Sequence, residues 1–252
     1  NSNIKELMFA QFYQNGVLKN PKTVFVLLII AILSFGYYSK DFRLDASSET
    51  LLIEGDPDLA YLKEVTERYG SKDFLILTYT PNKGMVTDSS INNLLSLKYK
   101  IQSLDWVHSV ITLLDIPLLN SSDAPLQERL ESFKTLKDEG VNRNRGFKEI
   151  LNSPVFRNYV ISEDGNTSGI IVNIKENKNL ENIENLSNEK IEAHKDEMKK
   201  QNHENILEIR QVIQSYGDVG KIYLGGIPMI ADDMMTFIKS DIVVFGLGVL
   251  LF

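Results

Sequence analysis

His108, His194 and His203 are the three histidines of the 252-residue chain. Two histidines hold a metal from one helix when they stand four positions apart, because that spacing puts both rings on one face. His194 and His203 stand nine apart, among Glu192, Asp196, Glu197 and Glu204, which reads as a solvated surface rather than a metal centre. Asp232 and Asp233 are the one adjacent acidic pair that invites a catalytic reading. Neighbours on a helix point about 100° apart, so these carboxylates do not converge, and a solvated helix start is the expectation. Cysteine is absent, which excludes disulfides, zinc–thiolate sites and a thiol nucleophile. No glycine-rich phosphate loop, G-x-S-x-G elbow or H-E-x-x-H pair occurs. The sequence therefore predicts no catalytic residue, no cofactor and no metal site, and the chain is not expected to be an enzyme.

What it does carry is an uneven distribution of charge. Thr23–Tyr38 contains no charged residue, and neither does Ile242–Phe252. Between them, Ser39–Asp241 holds 24 of the 27 basic and 33 of the 34 acidic residues, a net −9, while residues 1–22 carry +2. A basic tail, an apolar run and an acidic body is the order of a membrane anchor with a cytoplasmic amino terminus. The first run is shorter than the roughly 20 residues of a typical span. Asn20, Pro21 and Lys22 extend it at the inner headgroups, with Lys22 snorkelling, and Tyr37 and Tyr38 supply an outer aromatic belt. A cleaved signal peptide shares this pattern, but no A-x-A-like site follows the run. The second run is expected to be the first turns of another spanning helix, making the sequence a fragment of a longer protein. An acidic body argues against nucleic acid, whose phosphates need a basic face.

The body between the runs reads as mixed α and β. Asp56 and Pro57 open a helix through Leu59, Leu62, Val65 and Tyr69, stopped by Gly70. Asp73–Thr80 is rich in strand formers and reads as a largely buried strand. Thr87 or Asp88 caps a helix with the stripe Leu94, Leu97, Ile101 and Leu104, and Trp106–Leu113 is a second strand. A polar insertion spans about 120–153, with a helical patch at Leu126, Leu130 and Phe133. Phe156–Ser162 and Thr167–Ile174 flank Glu163-Asp164-Gly165-Asn166 as a hairpin. A long helix is expected over Asn179–Tyr216, with Ile206, Ile209, Ile213 and Tyr216 on one face and Gly217 as a left-handed cap. Its polar stretch, Ser187–Asn205, fits either a solvated helix or a disordered excursion. Lys221–Leu224 is the last strand. With one hairpin strand set aside, the order is that of an α+β, ferredoxin-like split β-α-β domain over 39–241.

Five stretches carry a further resemblance: Phe42–Tyr61 (FRLDASSETLLIEGDPDLAY), Tyr69–Leu77 (YGSKDFLIL), Trp106–Leu119 (WVHSVITLLDIPLL), Val160–Thr167 (VISEDGNT) and Leu224–Asp241 (LGGIPMIADDMMTFIKSD). In this order, between the apolar runs, they resemble exporters of the resistance–nodulation–division (RND) superfamily. The closest branch is the large mycobacterial membrane protein (MMPL) and hopanoid-transporter type. The resemblance implies a proton-driven exporter of the bacterial inner membrane with about twelve spanning helices in two repeated halves. Its first periplasmic loop would be a porter domain passing hydrophobic or lipid-like cargo. Its partners would be the bilayer, that cargo, and the remaining helices and second periplasmic loop of the full-length protein. The coupling carboxylates of such exporters lie in later helices and map onto no residue here.

An apolar cargo needs an apolar lining. Leu113, Leu114, Ile116, Leu118 and Leu119 are the candidates, since neither strand nor helix stripe uses them up. The competing reading is that they close the domain core. A periplasmic ligand-sensing domain of a membrane receptor shares the whole topology and stands as the alternative function.

Overall fold

The computed structural model describes residues 14, 18–38, 61, 64–65, 73–121, 133–175 and 188–251. The expected helix from Asp56 to Gly70 lies almost wholly outside these residues, as do Leu126 and Leu130 and the stretch 179–187. The chain divides into two compact units, 1–45 and 46–252.

In the first unit, helix α1 (Pro21–Tyr38) has no buried residue and carries no charge beyond Lys22. At 1.5 Å per residue it is about 27 Å long, close to the roughly 30 Å of a hydrocarbon core. Among the described residues it is the one helix long and apolar enough to cross a membrane.

The second unit is α+β. Its strands are β1 (Phe74–Pro81), β2 (Val107–Thr112), β3 (Ser168–Ile174) and β4 (Gly220–Gly225). They form one sheet in the order β2-β3-β1-β4, with every neighbouring pair antiparallel. Helix α2 (Asp88–Gln102) joins β1 to β2 and begins at Thr87, whose hydroxyl accepts from the Ser90 amide at 3.3 Å. Its stripe Leu94, Leu97, Ile101 is buried, with Leu104 just beyond. Helix α4 (Asn188–Gln214) joins β3 to β4 and buries Ile206, Ile209 and Val212. Together these side chains cover the face of the sheet that carries Leu75, Leu77, Tyr79, Val110, Ile170 and Val172, in one continuous core.

Four expectations change. Phe156–Ser162 forms no strand: Asn158 takes φ 67, the chain bonds to itself (Val160 N–H to Phe156 O, 2.9 Å), and only isolated bridges form at Arg157, Ile161 and Ser168. The Glu163–Asn166 turn is present nonetheless, with Gly165 at φ 73. Gly217 is not a left-handed cap; α4 ends through successive tight turns, in which Tyr216, Gly217 and Val219 each donate three residues back. The strand expected to be largely buried is half open, because among the described residues helices cover only one of its faces. Finally, the insertion contributes a helix that the polar reading missed, α3 (Arg143–Leu151), capped by Asn142 accepting from the Arg145 amide. The ambiguous polar stretch resolves as helix from Asn188 onward.

The last helix, α5 (Ile227–Leu251), leaves β4 directly and runs unbroken for 25 residues. The uncharged Ile242–Leu251 is thus the far end of a helix rooted at the sheet. Its large apolar side chains from Ile242 to Leu251 are more than half exposed where described.

Candidate functional site

The five residues proposed from sequence as a cargo lining do not stay together. Thr112 starts a 3-10 turn over Leu113–Asp115 with a reciprocal cap: its hydroxyl accepts from the Leu114 amide, and its own amide donates to Asp115 Oδ2 at 2.8 Å. That turn drives Leu113 and Leu114 inward, and Ile116 and Leu118 follow. Leu118 pairs with Lys134, and its methyl groups lie over Gly146 of α3, where a Cβ would stand 2.8 Å from the nearer of them. These four side chains belong to the core cluster, together with Leu136 and Ile150 of the insertion and Ile161 beyond it. Leu119 alone reaches solvent, at 50% exposure.

Two carboxylates fasten this region. Glu149 of α3 accepts from the amides of Leu119 and Asn120 at 2.7 and 2.9 Å and from the Ser121 hydroxyl at 2.6 Å. Burial pushes its pKa up, but these three donors outweigh that and hold it below the ordinary glutamate value. Asp115 is likewise pushed up by burial and pulled down further by Lys98 at 2.5 Å and by Thr112. Lys137 adds a second cation at 3.3 Å. A shallow depression between the start of α2 and Asp138–Asn144 is lined mainly by polar groups, including Asp88, Asp138, Glu139 and Arg143. Arg143 is spent on Asp88.

The surface that does gather apolar groups is the other face of the sheet. Strand alternation turns Phe74 and Ile76 away from the core while Leu75 and Leu77 enter it. The register places Ile171 beside Ile76, Ile111 beside Ile171, and Tyr223 beside Thr78. Phe74, Ile76, Ile111 and Tyr223 are 41–66% exposed. Between them stand Thr78, Ser109 and Asn173, the last two joined by a 2.9 Å hydrogen bond. One end of the face is closed where the Tyr159–Val160 backbone crosses Gly169, at 3.1 Å from where its Cβ would be. Alternation along β1 was the available signal for this face, obscured because both of its faces are apolar.

His203 and the two aspartates also settle differently from the sequence reading. His203 Nδ1 lies 2.8 Å from Asp232 Oδ1, and that carboxylate side chain is only 9% exposed. Arg210 Nη2 reaches both oxygens of Asp233 at 2.8 and 2.9 Å. Asn202 donates to the Pro228 carbonyl at 2.8 Å. Asp232 and Asp233 diverge, as adjacent helical residues must, but each meets a partner on α4. The result is a seam that fixes the first two turns of α5 against α4. Among the described residues no group of three or more His, Asp or Glu side chains could hold a metal.

In comparisons with known proteins, the chain matches no family model, and no curated protein matches it at a significant level.

Proposed function

We propose that this chain is a porter unit of an RND-type exporter of the MMPL or hopanoid-transporter kind. In this reading α1 and the apolar end of α5 lie in the bacterial inner membrane, and the sheet domain lies in the periplasm. There it helps a proton-driven machine pass hydrophobic or lipid-like cargo outward. The strand order β2-β3-β1-β4, with a helix after β1 and another after β3, supports a split β-α-β, ferredoxin-like domain. Such a fold hosts many functions. The observation that carries this one is the junction: α5 rises from the last strand, is clamped to α4, and continues without a break into an uncharged, exposed apolar end. A body joined to a bilayer by a rigid helix suits transport by movement of whole units around a site.

The test is export by the complete protein in cells. Extrusion of a hydrophobic fluorescent dye should be abolished by a protonophore and by deletion of the gene. Extrusion that ignores both would overturn the exporter reading. The absence of native cysteine allows topology to be checked alongside: an impermeant thiol reagent should label Asp164→Cys in intact cells, and failure to label it would contradict the periplasmic placement.

A further inference from the structure

We propose that the open sheet face and the outward side of α5 form a two-fold interface between two copies of this chain. Beside the open side chains of the sheet, Ile227, Ile230, Met234 and Phe237 recur at helical spacing along α5 and are 38–67% exposed. At about 100° per residue, this stripe lies on the side of α5 away from Asp232 and Asp233, which α4 holds. Helix α4 packs on the core face of the sheet, so the stripe turns toward the open one. The two surfaces meet at Gly226, whose φ of 119 turns the chain from β4 into α5; a Cβ there would stand 2.9 Å from the Phe74 carbonyl oxygen.

Size points to a protein partner. Taking about 200 Å² for each large side chain when free, the sheet face and the stripe together offer roughly 800 Å² of apolar surface. The largest apolar patch on a monomer is about 300–600 Å², whereas each partner of a stable interface gives about 800 Å². Interfaces of this area range from micromolar to picomolar affinity. Two bodies that each carry a net −9 over Ser39–Asp241 repel one another, which puts this one at the weak, micromolar end. The dilute chain is then a monomer with its face open.

Charge at one end of the face selects a second copy as that partner. Lys221 is exposed on the same face as Tyr223, and its ammonium has no partner among the described residues. It stands across from Thr80 of β1, whose hydroxyl meets that of Thr167 at 2.8 Å. Thr167 closes the turn that carries Asp164, an exposed carboxylate that accepts from Ser162 and Asn166, neither of them a cation. This end of the sheet therefore bears an unpaired ammonium on the β4 side of β1 and a carboxylate without a counter-charge on the β3 side. A two-fold interface needs a patch that complements itself, residue i meeting j while j meets i. An axis along β1 meets that condition by exchanging the two sides. Each Lys221 comes over the other copy's Asp164, and Ile76 comes near its own counterpart. Strand β1 is also the middle of the series β2-β3-β1-β4-α5. His108 and Lys175, at the opposite end, do not collide: Lys175 is turned onto the Asp105 carbonyl, and the axis carries both toward α5 of the other copy. The same axis leaves both α5 helices departing from one end, as entry into a single bilayer requires.

The experiment is sedimentation of the full chain in detergent micelles, from well below to well above micromolar concentration, at low salt because exposed charges are screened. A monomer–dimer equilibrium is expected. Lys221→Glu and Asp164→Lys should each weaken it about tenfold, since both symmetry-related pairs turn repulsive at once. The two changes in one chain should restore it. The chain has no cysteine, so Ile76→Cys tests the axis directly. Facing sheets lie about 10 Å apart, and a short bismaleimide should join position 76 to position 76 while leaving Glu139→Cys, away from the face, uncrosslinked. A chain that stays monomeric throughout would overturn the interface and leave the face to another occupant, such as apolar cargo or the second periplasmic loop. Dimers indifferent to both charge reversals and not crosslinked at 76 would show association through the apolar helix ends, and the proposal would again be wrong. Losses in both single variants without rescue in the combined one would overturn the two-fold pairing.

Discussion

The two faces of the sheet are built from the same kinds of residue and end in opposite conditions. Along β1, Leu75, Leu77 and Tyr79 are fully buried beneath α2 and α4, while Phe74 and Ile76, one position out of step, remain open. Across the sheet Ile170 and Val172 are buried, and Ile111 on the neighbouring strand is not. Hydrophobicity alone does not distinguish these positions; the pleat does, by sending alternate side chains to faces of which, among the described residues, only one has helices against it. An apolar residue on the covered face contributes to stability. The same residue on the open face contributes little to folding and is available to something else. Unpartnered apolar surface on a folded domain is a feature to be explained by what it meets.

That contrast is broken most directly by truncation. Leu97→Ala or Ile101→Ala, under the covered face, should cost about 2–5 kcal/mol in unfolding free energy. Ile76→Ala, on the open face, should cost below about 0.5 kcal/mol. Chemical unfolding of the full chain, followed by the fluorescence of Trp106, measures all three. A large loss at Ile76 would mean that the open face is covered, and equal small losses at all three would mean that α2 does not pack as described. The insertion can be tested against the same core. Gly146→Val would force a branched side chain against Leu118 and Leu136, whose methyl groups already lie 2.8 and 2.9 Å from the position of a Cβ. Overpacking of this kind should cost about 1–3 kcal/mol; a neutral variant would mean that α3 is not seated on the core.

Much of the covered face was legible in the sequence. The stripe Leu94, Leu97, Ile101, Leu104 has helical period, Thr87 is a capping residue, and β1, β2 and β4 fall within a residue or two of their expected bounds. The open face was not, since an apolar residue at every position from Phe74 to Leu77 conceals which half of an alternation is inward. The five leucine-rich candidates were read from composition, and composition cannot say that Asp115 would cap a tight turn and send Leu113 and Leu114 into the core. Helix α3 was missed although Asn142, Phe147, Ile150 and Leu151 spell a capped amphipathic turn, because the surrounding polar residues dominated the window. His203 with Asp232 and Arg210 with Asp233 are separated by 29 and 23 positions, and pairs that distant become visible only once α4 and α5 are packed.

The seam sharpens the comparison at the helix that leaves the sheet. If it orients α5, then Arg210→Ala and Asp233→Ala should each destabilise the chain modestly, and the double variant should cost less than their sum. A coupling of about 0.2–1 kcal/mol is expected, since both side chains keep some contact with water. Additive losses would mean that the two groups are neighbours without interaction energy, leaving α5 held to α4 by Asn202, His203 and packing alone.

The smallest expected effect is a dependence on acid. Glu149 ties α3 to Leu119, Asn120 and Ser121, and its folded pKa lies below the ordinary glutamate value of 4.5. A carboxyl depressed on folding stabilises the native state fully above its unfolded pKa, and loses that contribution as pH falls through the folded pKa. The insertion should therefore be held most firmly near neutrality and loosen below about pH 4.5. Asp115, depressed between Lys98 and Thr112, acts in the same direction from the ordinary aspartate value of 3.8 downward. Glu149→Gln keeps the shape but removes the titration. Its melting temperature should start slightly below that of the native chain near neutral pH and fall less steeply on acidification, so that the two curves converge. Hydrogen exchange at the amides of Leu119 and Asn120 localises the change, since both donate to Glu149 Oε1. Parallel curves at all pH values would mean that Glu149 is bonded no better in the folded chain than in water, and the anchoring of the insertion would then rest on Leu118, Leu136 and Ile150.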